Sequence, residues 1–122
     1  MEFKANVRLF GISPELIMGH LVVQAAFAAS NYECIITSAR DSSHSTKSKH
    51  YTGNALDYRL RHLESVKAID DLFKIIQLSL TSEFDVLVED IGTDHPHLHL
   101  EYDPDYRDVN TTITKYGECT ND

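Results

Sequence analysis

Glu83-Phe-Asp-Val-Leu-Val-Glu-Asp-Ile-Gly-Thr-Asp-His-Pro-His-Leu-His-Leu-Glu-Tyr102 is the stretch from which the fold is read. Glu83 to Glu89 is short and apolar enough for a main strand, and Ile91 to Pro96 is rich in turn formers. His97 to Tyr102 then alternates strictly, which is the period of a half-buried strand. Two strands joined by so short a loop are expected to be neighbours and to pair antiparallel.

Upstream, Leu63, Val66, Ile69, Leu72, Phe73, Ile76 and Leu80 mark one face of a helix. Asn54 to Leu60 reads as extended, and the β-branched run Tyr32 to Ser38 as a central strand. Ser13-Pro14-Glu15 supplies a cap hydroxyl, a proline suited to the first helical position and an early carboxylate. The Leu, Val and Ala-rich run that follows, to about Ala29, is expected to be the main buried helix. His20 inside it reads as a core histidine. From Glu2 to Leu9 apolar and polar residues alternate, which predicts a further half-buried strand. Helices and strands do not alternate regularly, so an α+β domain with a mainly antiparallel sheet and two main helices is expected over a doubly wound one. One domain spans 1–122, with 104–122 a polar C-terminal tail that either wraps the surface or frays.

Composition narrows the function classes. The 122 residues are 42% apolar and 25% charged, as in an ordinary globular protein. Nineteen acidic side chains against eleven basic ones give a net charge of -8, which repels a nucleic-acid backbone. No window approaches the roughly 18 apolar residues of a membrane span, and the N-terminus lacks the apolar stretch of a signal peptide. Synthesis in the cytoplasm is expected, and action outside would need another route. Cys34 reads as a small buried hydrophobe; Cys119 lies in the polar tail, and nothing in the spacing supports a disulfide between them.

Chemistry concentrates in two clusters. The first is Ser48-Lys-His50-Tyr-Thr-Gly53-Asn-Ala55-Leu-Asp57. His50 and Asp57 are ligand types suited to zinc, and Gly53 between them lets the backbone reverse tightly. Arg59 can orient the Asp57 carboxylate. The second is His95-Pro-His97-Leu-His99-Leu-Glu101-Tyr-Asp103. In a strand, His97, His99 and Glu101 share one face while Leu98 and Leu100 point into the core. Such a face is either a solvated edge or a functional one.

Together the clusters resemble the zinc peptidases of bacterial cell-wall peptides: D-alanyl-D-alanine carboxypeptidases, phage L-alanyl-D-glutamate endopeptidases and the related hedgehog domain. The resemblance rests on Ser-x-His-x-x-Gly-x-Ala-x-Asp followed by His-x-His, and runs from about Pro14 to Pro104. Short phage-encoded forms are similar also in Ile36-Thr37-Ser38, Asp41, His44 and Ser48-Lys-His50-Tyr51.

The resemblance implies a hedgehog/DD-peptidase-like fold and a zinc ion held by His50, Asp57 and His99. It implies that His97 sits beside the metal and helps stabilise the reacting carbonyl. Arg40 matches the family arginine that contacts substrate or oxyanion, with a surface ion pair to Asp41 as the other reading. His44 is either near the metal or solvent-facing. Many relatives carry an acid three residues before the zinc histidine, where this chain has Pro96. Glu89 matches the acid of the short phage forms and is the expected general base, with Asp94 the competitor. Three protein ligands leave zinc an open position, the pattern of a catalytic site. The implied activity is hydrolysis, as carboxypeptidase or endopeptidase, of a murein peptide bond involving a D-amino acid, in a phage or prophage setting where lysis, a holin or the virion gives access to the wall. A zinc-bound but non-catalytic domain serving binding or virion structure is the alternative.

Overall fold

In a computed structural model, residues 2–4, 7, 9, 11–39 and 53–104 are described, together with the backbone of 111–113 and 119–121. The elements run β1 (Glu2–Phe3), α1 (Pro14–Ala29), β2 (Ile35–Ser38), β3 (Ala55–Arg59), α2 (Val66–Ser79), β4 (Phe84–Glu89), β5 (His97–Tyr102), β6 (Thr111–Ile113) and β7 (Cys119–Asn121). The first five strands form a sheet in the order β1-β2-β3-β5-β4, and β6 pairs with β7. Within the larger sheet only β1 and β2 run parallel, so the sheet is mixed and largely antiparallel. β4 and β5 form the expected hairpin, in register from Phe84 opposite Tyr102 to Glu89 opposite His97.

The period of two divides the sheet into two faces. Leu56 and Tyr58 on β3, Leu98 and Leu100 on β5, and Val86 and Val88 on β4 are buried in one core. Leu16, Val23 and Phe27 of α1 and Ile69, Leu72, Phe73 and Ile76 of α2 complete it. Both helices therefore cover one face, and the intervening residues Asp57, Glu89, His97, His99 and Glu101 point to the other.

Local chemistry sets the element ends. Ser13 Oγ accepts from the Leu16 N–H at 3.1 Å, with Pro14 in the first turn, and Ser65 Oγ accepts from the Ala68 N–H at 3.1 Å. α2 thus begins at Val66; Leu63 is buried just ahead of it. Helix α1 is bolted to the central strand through His20. The Tyr58 hydroxyl donates to His20 Nδ1 at 2.6 Å, the two rings stack, and burial lowers the pKa of the histidine. His20 is a core residue, as expected. Cys34 is buried too, and burial pushes its thiol up to about 11.

One expectation needs correction. The N-terminal strand does not reach Leu9: β1 ends at Phe3, Lys4 N–H donates to Ile36 O, and Val7 N–H donates back to Lys4 O. Val7, Leu9 and Ile12 satisfy their apolar side chains by packing on the core without joining the sheet, which imitates the alternation of a strand. Within 104–122, the backbone of 111–113 pairs antiparallel with that of 119–121. No helix among the described residues is long and apolar enough to cross a membrane.

Candidate metal and catalytic site

Three adjacent strands carry the site. Asp57 lies at the middle of β3, directly opposite His99 of β5, and Glu89 at the end of β4 lies opposite His97. Each cross-strand pair is a carboxylate with an imidazole. His99 Nδ1–H donates to Asp57 Oδ1 at 2.8 Å, and His97 Nε2–H donates to Glu89 Oε1 at 3.3 Å. Leu98 between the two histidines and Leu100 beyond them are fully buried, which pins the ring-bearing residues to the open face.

The second nitrogen of each ring is also engaged. His99 Nε2–H donates to Glu101 Oε1 at 3.2 Å. Carboxylates only accept, so both ring nitrogens of His99 carry hydrogen and the ring is cationic. Burial works against that charge, but the hydrogen bonds to Asp57 and Glu101 outweigh it and hold the His99 pKa up at about 10. His97 Nδ1 lies 3.3 Å from the His95 carbonyl oxygen and 3.6 Å from Asp90 Oδ2. Its pKa is raised chiefly by the hydrogen bond to Glu89, against the opposing effect of burial. The same bond lowers the pKa of Glu89.

Asp57, Glu89 and His97 each offer one ligating atom within 4.8 Å of the others, and Asp57 is shared with His99. Four of the six residues implied by the resemblance therefore gather on one face. His50 and Arg40 lie outside the described residues, as does His44. The donor set suits zinc, which takes imidazole and carboxylate ligands. Asp57 and His99, in contact at 2.8 Å, are residues that would hold a metal once the Nδ1 proton leaves.

Asp94 is exposed on the β4–β5 turn, whereas Glu89 sits against His97. Two residues given no role from sequence also belong here. Glu101 holds the far side of His99, and its position two residues further along the same strand was the available signal. Asp90 approaches His97 from a backbone with φ 58°, a left-handed conformation that no pattern in the sequence announced.

Gly53 sets the entry to β3. Its φ is +77°, its carbonyl accepts from the Ser13 N–H at 2.9 Å, and a Cβ there would collide with the Gly11 carbonyl oxygen. Ala55, two residues on, is fully buried. Comparisons with protein-family models, with curated proteins and with solved structures find no match for this chain.

Proposed function

We propose that the chain is a zinc peptidase that hydrolyses a bacterial cell-wall peptide bond involving a D-amino acid, with a hedgehog/DD-peptidase-like fold and a phage or prophage setting. The observation that carries the reading is the pair of carboxylate–imidazole contacts, Asp57–His99 and Glu89–His97, side by side on one face of the sheet. They involve the residues that the cell-wall peptidase pattern assigns to metal and catalysis.

In this reading His50, Asp57 and His99 hold the metal. Zinc, when bound, supplies Lewis acidity that polarises a carbonyl and acidifies water. Glu89, kept ionised by His97, accepts the proton from the attacking water and later delivers it to the leaving amine as the C–N bond breaks. His97, whose pKa the same pairing raises, donates to the oxygen on which negative charge develops. Arg40 is proposed to contact the substrate or the same oxygen.

The test is incubation of the zinc-loaded protein with purified murein peptides, with and without a chelator, followed by mass analysis of the products. Chelator-sensitive cleavage next to a D-residue, with casein left intact, is the expected result. Full zinc occupancy with no cleavage of any murein peptide would establish the non-catalytic zinc domain instead.

A further inference from the structure

Glu101 lies where a metal ligand's outer partner is needed. The His99 ring is held from opposite edges: Asp57 Oδ1 at Nδ1, 2.8 Å, and Glu101 Oε1 at Nε2, 3.2 Å. The side chains of His99 and Glu101 are only 14% and 22% exposed, so water competes weakly for the bond between them. Glu101 is also placed in negative surroundings. Asp85, its cross-strand neighbour, and Asp103 present oxygens within 4.8 Å of its own, which favours a hydrogen-bond donor directed at it. A histidine binds a metal through one nitrogen, and the hydrogen bond at the other decides which nitrogen that is.

We propose that Glu101 is the positioning residue of the metal site: by accepting the Nε2–H of His99 it fixes the tautomer and aims Nδ1 at the ion shared with Asp57. The proposal rests on the zinc reading above, though not on the peptidase activity. Glu101 touches neither substrate nor reacting atoms; it acts through His99. The bond to Glu101 is already made in the metal-free protein, so the ring need not turn when metal arrives.

The experiment is NMR of isotope-labelled histidine ring nitrogens in the zinc-loaded protein, with zinc affinity measured by chelator competition for wild type, Glu101→Ala and Glu101→Gln. The expected spectrum shows His99 protonated at Nε2 and without hydrogen at Nδ1. Glu101→Ala is expected to weaken zinc binding about 10- to 100-fold, the usual cost of losing such a partner. Glu101→Gln is expected to keep most of the affinity, because its amide oxygen accepts the same hydrogen. A proton on Nδ1 of zinc-bound His99, or wild-type affinity in Glu101→Ala, overturns the role of Glu101 and leaves the zinc reading standing. A wild-type chain that takes up no zinc overturns both. The expected tautomer in a protein that cleaves no murein peptide overturns only the peptidase. Should Glu101→Ala not fold, the wild-type tautomer and the Glu101→Gln affinity decide between the outcomes, and loss of zinc binding in Glu101→Gln counts against the proposal.

Discussion

Glu89 and His97 face each other from the last residue of β4 and the first of β5, 3.3 Å apart. Their bond lowers the pKa of the acid and raises that of the imidazole, so each stabilises the charged form of the other. The pairing favours Glu89 as a proton acceptor and His97 as a proton donor. Glu89→Gln keeps the size and most of the hydrogen bonding but removes the proton acceptor. Zinc content is expected to stay at the wild-type level, while turnover on a murein peptide falls by about 10²-fold or more, the range for losing a general base. Elemental analysis beside single-turnover rates checks both halves. If zinc is lost along with turnover, Glu89 joins the ligands, a set its neighbours Asp57 and His97 also suit. From sequence alone, Glu89 and Asp94 compete for this role on spacing. The geometry puts Glu89 against the imidazole and Asp94 on the exposed turn, a difference the register of β4 against β5 creates.

At the scale of the element, β3 is the strand on which fold and site meet. Its even positions Leu56 and Tyr58 enter the core, and Asp57 between them faces β5. Gly53 governs how the chain enters it. A side chain at φ +77° costs about 1–2 kcal/mol, and here a Cβ would also collide with the Gly11 carbonyl oxygen, which belongs to backbone and cannot rotate away. Gly53→Ala is therefore expected to destabilise the protein by about 2 kcal/mol or more. It should weaken zinc binding as well, because the displaced strand carries Asp57. Thermal melts of the chelated and zinc-loaded variant check this; an unchanged melting temperature in both states would show that the turn relaxes freely. Helix α1 presents a contrast. It is apolar nearly all round, and Met18 and Leu21 remain 65% and 52% exposed while Leu16 and Val23 are fully buried. Composition predicts such a helix without saying which side the sheet will cover.

For the whole molecule, metal, protons and stability are linked. His99 titrates at about 10 in the folded metal-free chain against an ordinary value of 6.5. A raised folded pKa stabilises fully below 6.5, and that contribution is lost as pH rises through about 10. The chelated protein should therefore melt progressively lower between pH 7 and 9.5. Below pH 10 the buried Tyr58 phenol, whose pKa is raised well above its usual value by burial, adds little to this trend. Zinc acts in the opposite sense, since binding requires the His99 Nδ1 proton to leave and is favoured as pH rises. The gap in melting temperature between zinc-loaded and chelated protein is expected to widen from pH 7 to 9.5, by about 5 °C for each kcal/mol of added binding energy in a chain of this size. Calorimetry at several pH values checks it; a constant gap would mean that His99 gives up no proton to the metal.

Much of this architecture is legible residue by residue, because hydrophobic period and capping chemistry are local properties. The β4–β5 hairpin, the start of α1, the inward Leu98 and Leu100 and the shared face of His97, His99 and Glu101 all follow from a few neighbouring positions. Local alternation also misleads, as at Val7 and Leu9, where apolar side chains reach the core from outside the sheet. Partner choice is another matter. That Asp57 meets His99 across 42 positions in the chain, that β5 separates β3 from β4, and that Asp90 turns back toward His97 depend on strand order and register. Those are set by the packing of the whole sheet against α1 and α2, a global balance that no window of sequence contains.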